Sequence, residues 1–258
     1  MNEIMVQSIR EKVAEAVEAE KRSKEYAEQF YEQEASMASH FVLDTALLDR
    51  LIRPGSRIFD AMMARGRHVL HFARKGYSVC GNDRNKHMVK LVRESLRNEG
   101  LKAKLLSNDV TSLEGVRDNC FDSVICMYSS LGCIPGSSNR RKAMQEFVRI
   151  LKPGGVVVVH AHSPLDPLEK PTDILLMLKN QFWRPPAGLE RGDWYYLHGS
   201  SLGYSYIHEF RPKEFRNLFT SAGLKVVKEF YLNLKQDRII PDVFSFASGG
   251  FIFVGQKT

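Results

Sequence analysis

The sequence predicts an α/β protein: a doubly wound, mainly parallel seven-stranded sheet with an antiparallel hairpin at its C-terminal end. Three observations carry this. From Arg57 onward, short apolar runs alternate with helical patterns, the order that builds a parallel sheet covered on both faces. The run Arg57-Ile-Phe-Asp60-Ala-Met-Met-Ala-Arg-Gly66-Arg67-His68 reads as strand, tight turn and helix, and the next apolar run ends Gly81-Asn-Asp83, with an acid at its tip. The last two strands, 225–232 and 250–256, have no helix between them and should pair antiparallel.

In chain order, residues 7–35 are rich in Glu, Ala, Lys and Gln, contain no Gly or Pro, and read as one long charged helix. Its apolar stripe is narrow, so it packs one face on the domain or on a second copy of the chain, which leaves a homodimer open. A short helix is expected over 45–51, ended by Pro54-Gly55. Strands are then expected over 58–62, 77–83, 104–107, 121–128 and 155–160, with helices over 67–75, 86–99 and 140–151. A helix over 212–222 precedes the final hairpin. The Pro- and aromatic-rich stretch 163–210 is too long for a plain connector and should form a lid or substrate-recognition insert. The expected organisation is an N-terminal helical cap, 1–52, and a main domain, 53–258, carrying that insert.

Composition narrows the class. No apolar stretch is long enough to span a membrane, and the N-terminus, MNEIMVQSIREK, lacks the apolar segment of a signal peptide. Cys80, Cys120, Cys126 and Cys133 form no CxxC pair and read as reduced thiols, so a cytoplasmic location is expected. The net charge is +7, but Lys and Arg are scattered and no aromatic-basic motif accompanies them, which argues against nucleic acid as a partner.

These pieces together resemble the class I S-adenosylmethionine-dependent methyltransferases. Asp60 to His68 matches that family's first motif, Gly81-Asn-Asp83 the acidic end of its second strand, Asn108-Asp109 the acid after its third, and Arg149-Ile-Leu-Lys-Pro-Gly-Gly155 the turn before its fifth. The resemblance covers residues 53–257 and implies the Rossmann-like methyltransferase fold, S-adenosyl-L-methionine as cofactor, and no metal. The turn departs from the family pattern: Met62, Met63 and Ala64 stand where Gly-Cys-Gly or Met-Cys-Gly is common, and only Gly66 remains. A methyl group at Ala64 meets the place where backbone usually approaches the cofactor. Either the pocket shifts slightly and still binds, or the site has decayed into a binding or scaffolding relative.

By that resemblance, Asp83 takes the ribose hydroxyls and Asp109 the adenine amino group, with Val110 supplying backbone contact. Asp109 read alone is equally a turn residue. Asp60 receives turn amides or contacts the amino group of the methionine part. Arg84 stacks on adenine or neutralises its neighbour. Met127, Tyr128 and Ser129 line the sulfonium end. His160 and His162, at alternating positions near the end of the fifth strand, share one side if the strand persists, and with Tyr128 they are candidates for the catalytic base or for acceptor binding. His208, with Tyr204 and Tyr206, is a further candidate from the insert. Trp183, Trp194, Tyr195 and Tyr196 of the insert, and Tyr26, Phe30, Tyr31 and His40 before the domain, are expected to wall a small-molecule acceptor pocket. The implied reaction is methyl transfer to a small-molecule nucleophile; RNA or protein acceptors are the alternative.

Overall fold

The computed structural model describes residues 23–27, 38–165, 189–197 and 204–258. The long N-terminal helix expected over 7–35 lies outside this set, save for a helical turn at 24–27, and so do Phe30, Tyr31, Trp183 and the side chains of His40, Tyr195 and Tyr196.

The order is α1 (Ala38–Leu51), β1 (Arg57–Asp60), α2 (Arg67–Arg74), β2 (Ser78–Asn82), α3 (Lys86–Asn98), β3 (Lys104–Leu106), β4 (Phe121–Cys126), α4 (Ser137–Ile150), β5 (Leu151–His162), β6 (Asp193–Leu197), β7 (Tyr204–His208), α5 (Pro212–Ser221), β8 (Leu224–Leu232), β9 (Ile239–Ile240) and β10 (Gly250–Lys257). One sheet runs β3-β2-β1-β4-β5-β10-β8-β9, and β6 and β7 form a separate two-stranded sheet. The pairs among β1 to β5 are parallel, while β10 is antiparallel to both β5 and β8. This is the expected α/β class and C-terminal pairing. The sheet gains an eighth strand because β9 returns to pair with the end of β8, and a 3-10 turn, Asp242–Ala247, follows before β10.

Side chains of successive strand residues point to opposite faces, and the core divides accordingly. Phe59, Val124, Val157, Val159, Phe251 and Phe253 pack with α4 and α5, while Ile58, Ile125, Val158, Ile252 and Val254 pack with α1, α2 and α3. Strands buried on both faces read as continuous apolar runs, which is why they were visible in the sequence.

The boundaries that moved have local causes. α1 begins at Ala38 rather than 45, because Asp44 sits buried on its inner face and interrupts the apolar pattern. β4 stops at Cys126, two residues early, because Tyr128 and Ser129 take positive φ angles. β5 starts at Leu151, and an irregularity in its pairing with β4 absorbs Pro153 and Gly154. It persists to His162. Among the described residues, no helix is long and apolar enough to cross a membrane.

Candidate active site

The carboxyl ends of parallel strands gather ligand-binding groups in this architecture. Here the first of them is the β1–α2 turn. Ala61 N donates to Ile125 O at 2.9 Å, Met63 N to Asn82 O at 2.9 Å, and Gly66 N to Met63 O at 2.8 Å, so the turn is tied to the β4 and β2 tips and closed on itself. Gly66 has φ of 75°, and a Cβ there would come within 2.7 Å of Val92, so glycine is needed both for the conformation and for seating α2 on α3. Ala64 holds φ of 46° without being glycine. That costs about 1 kcal/mol, and its N–H donates to Asp83 Oδ2 at 2.9 Å. The turn keeps the shape of a glycine turn. Met62 packs on the α4/α5 core, and Met63 is buried against the opposite one.

Asp83 accepts a second amide, Asn85 N, on Oδ1 at 2.8 Å. Burial pushes its pKa up, and the two amides pull against that. Asp60 is 2% exposed, and its Oδ2 has no hydrogen-bond partner among the described residues. Burial pushes its carboxyl up to about 7, with Arg67 opposing and Asp83 adding a little. Such an acceptor asks for a donor. Behind the two acids, fully buried Asn82 joins three strand tips: its Nδ2 donates to Ala61 O at 3.0 Å and Asn108 O at 3.1 Å, and its Oδ1 accepts from Asn108 N at 2.9 Å. Asn85 caps α3 and donates from Nδ2 to Ser23 O at 3.0 Å, bringing the N-terminal segment to this edge.

Asp109 is exposed, and its Oδ1 accepts from Thr111 N at 2.8 Å and Thr111 Oγ1 at 2.7 Å, the turn arrangement. Its Oδ2 lies 4.0 Å from Arg84, whose guanidinium bridges the β2 and β3 tips. Val110 is buried in the core.

The other half of the edge is built by β4 and β5. Met127 is buried. Tyr128 and Ser129 follow with φ of 53° and 52°, two consecutive strained residues of the kind that cluster at functional sites. Ser129 N donates to His160 O, and Ser129 Oγ accepts from His162 N, both at 3.0 Å. The Tyr128 ring thereby lies 5.1 Å from His162, 6.2 Å from His160 and 5.5 Å from Phe41. The two imidazoles are 5.6 Å apart, on the same side of the strand as expected. His160 Nδ1 is 3.3 Å from Asp44 Oδ2, and its Nε2 is 2.8 Å from Gln236 Oε1.

Burial alone would raise the Asp44 carboxyl; His160, then His68 and Arg67, hold it below the ordinary carboxylate value. Arg67 stacks over Phe41 at 3.6 Å and reaches Asp44 at 3.8 Å. His68 is buried with both ring nitrogens unpartnered among the described residues, and burial presses its pKa down to about 3, so it stays neutral. Asp44, Arg67 and His68 were missed as acceptor-end residues. The last two belong to the first motif and so carried a signal; Asp44 lay just ahead of the expected helix and gave none, nor did Gln236.

His208 goes elsewhere. Its Nδ1 is 2.7 Å from Asp193 Oδ1 and its Nε2 2.8 Å from Glu214 Oε1, and these acids raise its pKa against burial. Tyr206 OH donates to Asp193 at 2.6 Å, and buried Arg140 donates to Tyr206 OH at 3.0 Å and to Glu190. Glu190, Asp193 and His208 are close enough to ligate a cation, but Arg140 already supplies the positive charge. An imidazole engaged at both nitrogens by carboxylates has no free nitrogen to take a proton from an acceptor. The network clasps the β6–β7 hairpin to α4 and α5.

Residues 60–159 match the family model described as a methyltransferase domain. The chain is 33% identical over 113 residues to a ubiquinone/menaquinone biosynthesis C-methyltransferase, UbiE, of Hydrogenovibrio crunogenus; the alignment covers 42% of either protein, less than half the length of that relative. Its fold is similar to an S-adenosylmethionine-dependent methyltransferase of Methanosarcina mazei, with a TM-score of 0.65, 23% identity, and coverage of 82% of this chain and 96% of that one. It is also similar to the 1,6-didemethyltoxoflavin-N1-methyltransferase of Burkholderia thailandensis, solved with 1,6-didemethyltoxoflavin and S-adenosylhomocysteine (TM-score 0.59, 15% identity, 91% of this chain and 84% of that one). The domain match marks a methyltransferase domain over residues 60–159, and the structural neighbours share its fold.

Proposed function

We propose that this chain, a class I S-adenosylmethionine-dependent methyltransferase by domain and fold, transfers a methyl group to a small-molecule nucleophile. The observation that carries the reading is the pair of acids on the rebuilt turn. Asp60 offers a buried oxygen without a donor, which suits the ammonium of the methionine part. Asp83 keeps one lone pair on each oxygen beyond the amides it accepts, enough for two ribose hydroxyls. When bound, the cofactor supplies a sulfonium-activated methyl. What the chain's own residues then do is align the acceptor, exclude water and take up a proton. Tyr128, His160 and His162 would face the acceptor; His208, in its charge network, would hold the hairpin. The left-handed backbone at Ala64 keeps the conformation of a glycine turn, which supports a binding site over a decayed one.

The acceptor pocket on this reading is walled by the N-terminal cap, 1–52, and the insert, 163–210. The Asn85–Ser23 contact and the Arg140 clasp support it, since each brings one of these segments to the domain. The enclosure favours small acceptors over RNA or protein. The test is S-adenosylhomocysteine release when the protein and cofactor are given either a low-molecular-weight cell extract or the extract's RNA and protein fractions. Release with the small-molecule fraction alone is expected. Release only with the macromolecular fractions would overturn the proposal.

A further inference from the structure

His160 has no exposed surface and is held at both ring nitrogens by groups far away in sequence. Its Nδ1 lies 3.2 Å from Asp44 Oδ1 and 3.3 Å from Oδ2, across 116 residues. A carboxylate at Nδ1 keeps the ring proton there and leaves Nε2 as the atom that can exchange one. The second contact is of a different kind. Gln236 reaches Nε2 at 2.8 Å from the segment between β8 and β10. Its own backbone has φ of 53°. That segment exposes Leu234, Val243, Phe244 and Phe246 at 48%, 75%, 52% and 77%, while Gln236 itself is buried. An amide can turn either its oxygen or its NH2 toward Nε2, as a hydroxyl can offer either a lone pair or a proton.

We infer that Gln236 occupies the seat of the acceptor's reacting hydroxyl, phenolic or enolic, which displaces it from His160 Nε2, and that Asp44 is the positioning residue for that ring. This rests on the methyl-transfer reading above. The acceptor O–H proton passes to Nε2. The oxygen, or for an enol the conjugate carbon, forms the bond to the methyl carbon. The bond from that carbon to sulfur breaks, and its electron pair stays on sulfur as a neutral thioether. The imidazolium loses its proton to water as product leaves. A neutral amine attacks with its own lone pair and gives up its proton only after the bond to the methyl carbon has formed. The groups facing His160 fit a proton-accepting role: Asp44 from α1, Arg67 and neutral His68 from α2, Tyr128 after β4 and His162 on β5.

The test uses the full chain with S-adenosylmethionine and two probes, 1-naphthol and benzylamine, from about pH 6 to about pH 9, where an imidazole titrates. Methylation of 1-naphthol is expected. Asp44→Asn should lower kcat on the order of 100-fold, leave KM for the cofactor unchanged, and move the rising limb of the pH profile to lower pH, since the ring loses the charge that favours its protonation. Asp44→Glu should restore part of the rate. Gln236→Ala should lower KM for 1-naphthol by clearing the seat. Methylation of benzylamine alone, or an unchanged kcat in Asp44→Asn, overturns the inference. If neither probe turns over, or if Asp44→Asn does not fold, ring nitrogen NMR decides. Adding 1-naphthol to the wild type with S-adenosylhomocysteine should shift His160 Nε2, and Gln236→Ala should enlarge the shift; an unmoved resonance overturns it. No heat on titrating the cofactor, alongside a shift on adding 1-naphthol alone, would count against the methyl-transfer reading and leave the seat standing.

Discussion

The two halves of the sheet's carboxyl edge are assembled in different ways. The half formed by the β1, β2 and β3 tips is held by backbone: Asp83 fixes Ala64 N and Asn85 N, and Asn82 ties Ala61 to Asn108, all among residues close in the chain. The half formed by β4 and β5 is completed by side chains from far away, Asp44 before the domain's first strand and Gln236 near its last. Local backbone geometry is written in short motifs, whereas long-range side-chain contacts are not. The first half should therefore tolerate changes at Asp44 and Gln236, and the second should fail with them.

Deleting residues 1–35 should have the largest effect, although it keeps Asp44 and Gln236 and cuts the Ser23–Asn85 contact of the first half. Cofactor binding should persist, since its motifs come later, while turnover on the true acceptor should be abolished with the proposed pocket wall; a truncated protein with full turnover would refute that wall. A smaller effect is expected from Arg140→Ala. It leaves the partly exposed Glu190 without its cation and Tyr206 OH without a donor, a loss of about 3 kcal/mol for a buried pair, reduced by Glu190's solvation. Denaturant unfolding should read it, and faster hydrogen exchange in β6 and β7 should localise it.

The pH dependence of cofactor binding probes the local half. Asp60 is shifted up to about 7 in the free protein. A bound ammonium needs the ionised form, so binding near neutral pH should release a proton. Affinity should rise as pH increases toward about 7 and fall by about tenfold per unit below it. Calorimetry in two buffers of different ionisation enthalpy measures that proton. Ala64→Gly should have the smallest effect, a stability gain of about 1 kcal/mol from relieving a left-handed alanine, with cofactor affinity kept or modestly improved. A lower melting temperature would mean that the methyl group is packed rather than strained.

Much of the fold was legible because each buried strand is a short apolar run bounded by turn residues, as in β1, β2 and β4. Of the candidate site, what depended on position along one strand survived. His160 and His162 share a side because strand side chains alternate, and Asp60 and Asp83 fall at strand tips. What depended on pairing between distant segments was not legible. His208 was a candidate from the insert with Tyr204 and Tyr206, and the β6–β7 register sets it opposite Asp193, beside Tyr206 and the Arg140 network. Asp44 was invisible because it lay just before the expected helix, where an acid usually faces water, and only the tertiary structure brings His160 to meet it. The resemblance to a known family supplied the cofactor; the residues alone pointed only to a nucleotide-type ligand.

The central claim is that the acids on the altered turn hold S-adenosylmethionine. Calorimetric titration of S-adenosylhomocysteine into the wild type and Asp83→Ala tests it most directly. The account predicts saturable binding by the wild type and a loss of about 2–4 kcal/mol in the variant, the worth of two charge-assisted hydrogen bonds, while circular dichroism still reports a folded protein. Equal affinity in the two proteins, or no binding by either, would contradict it.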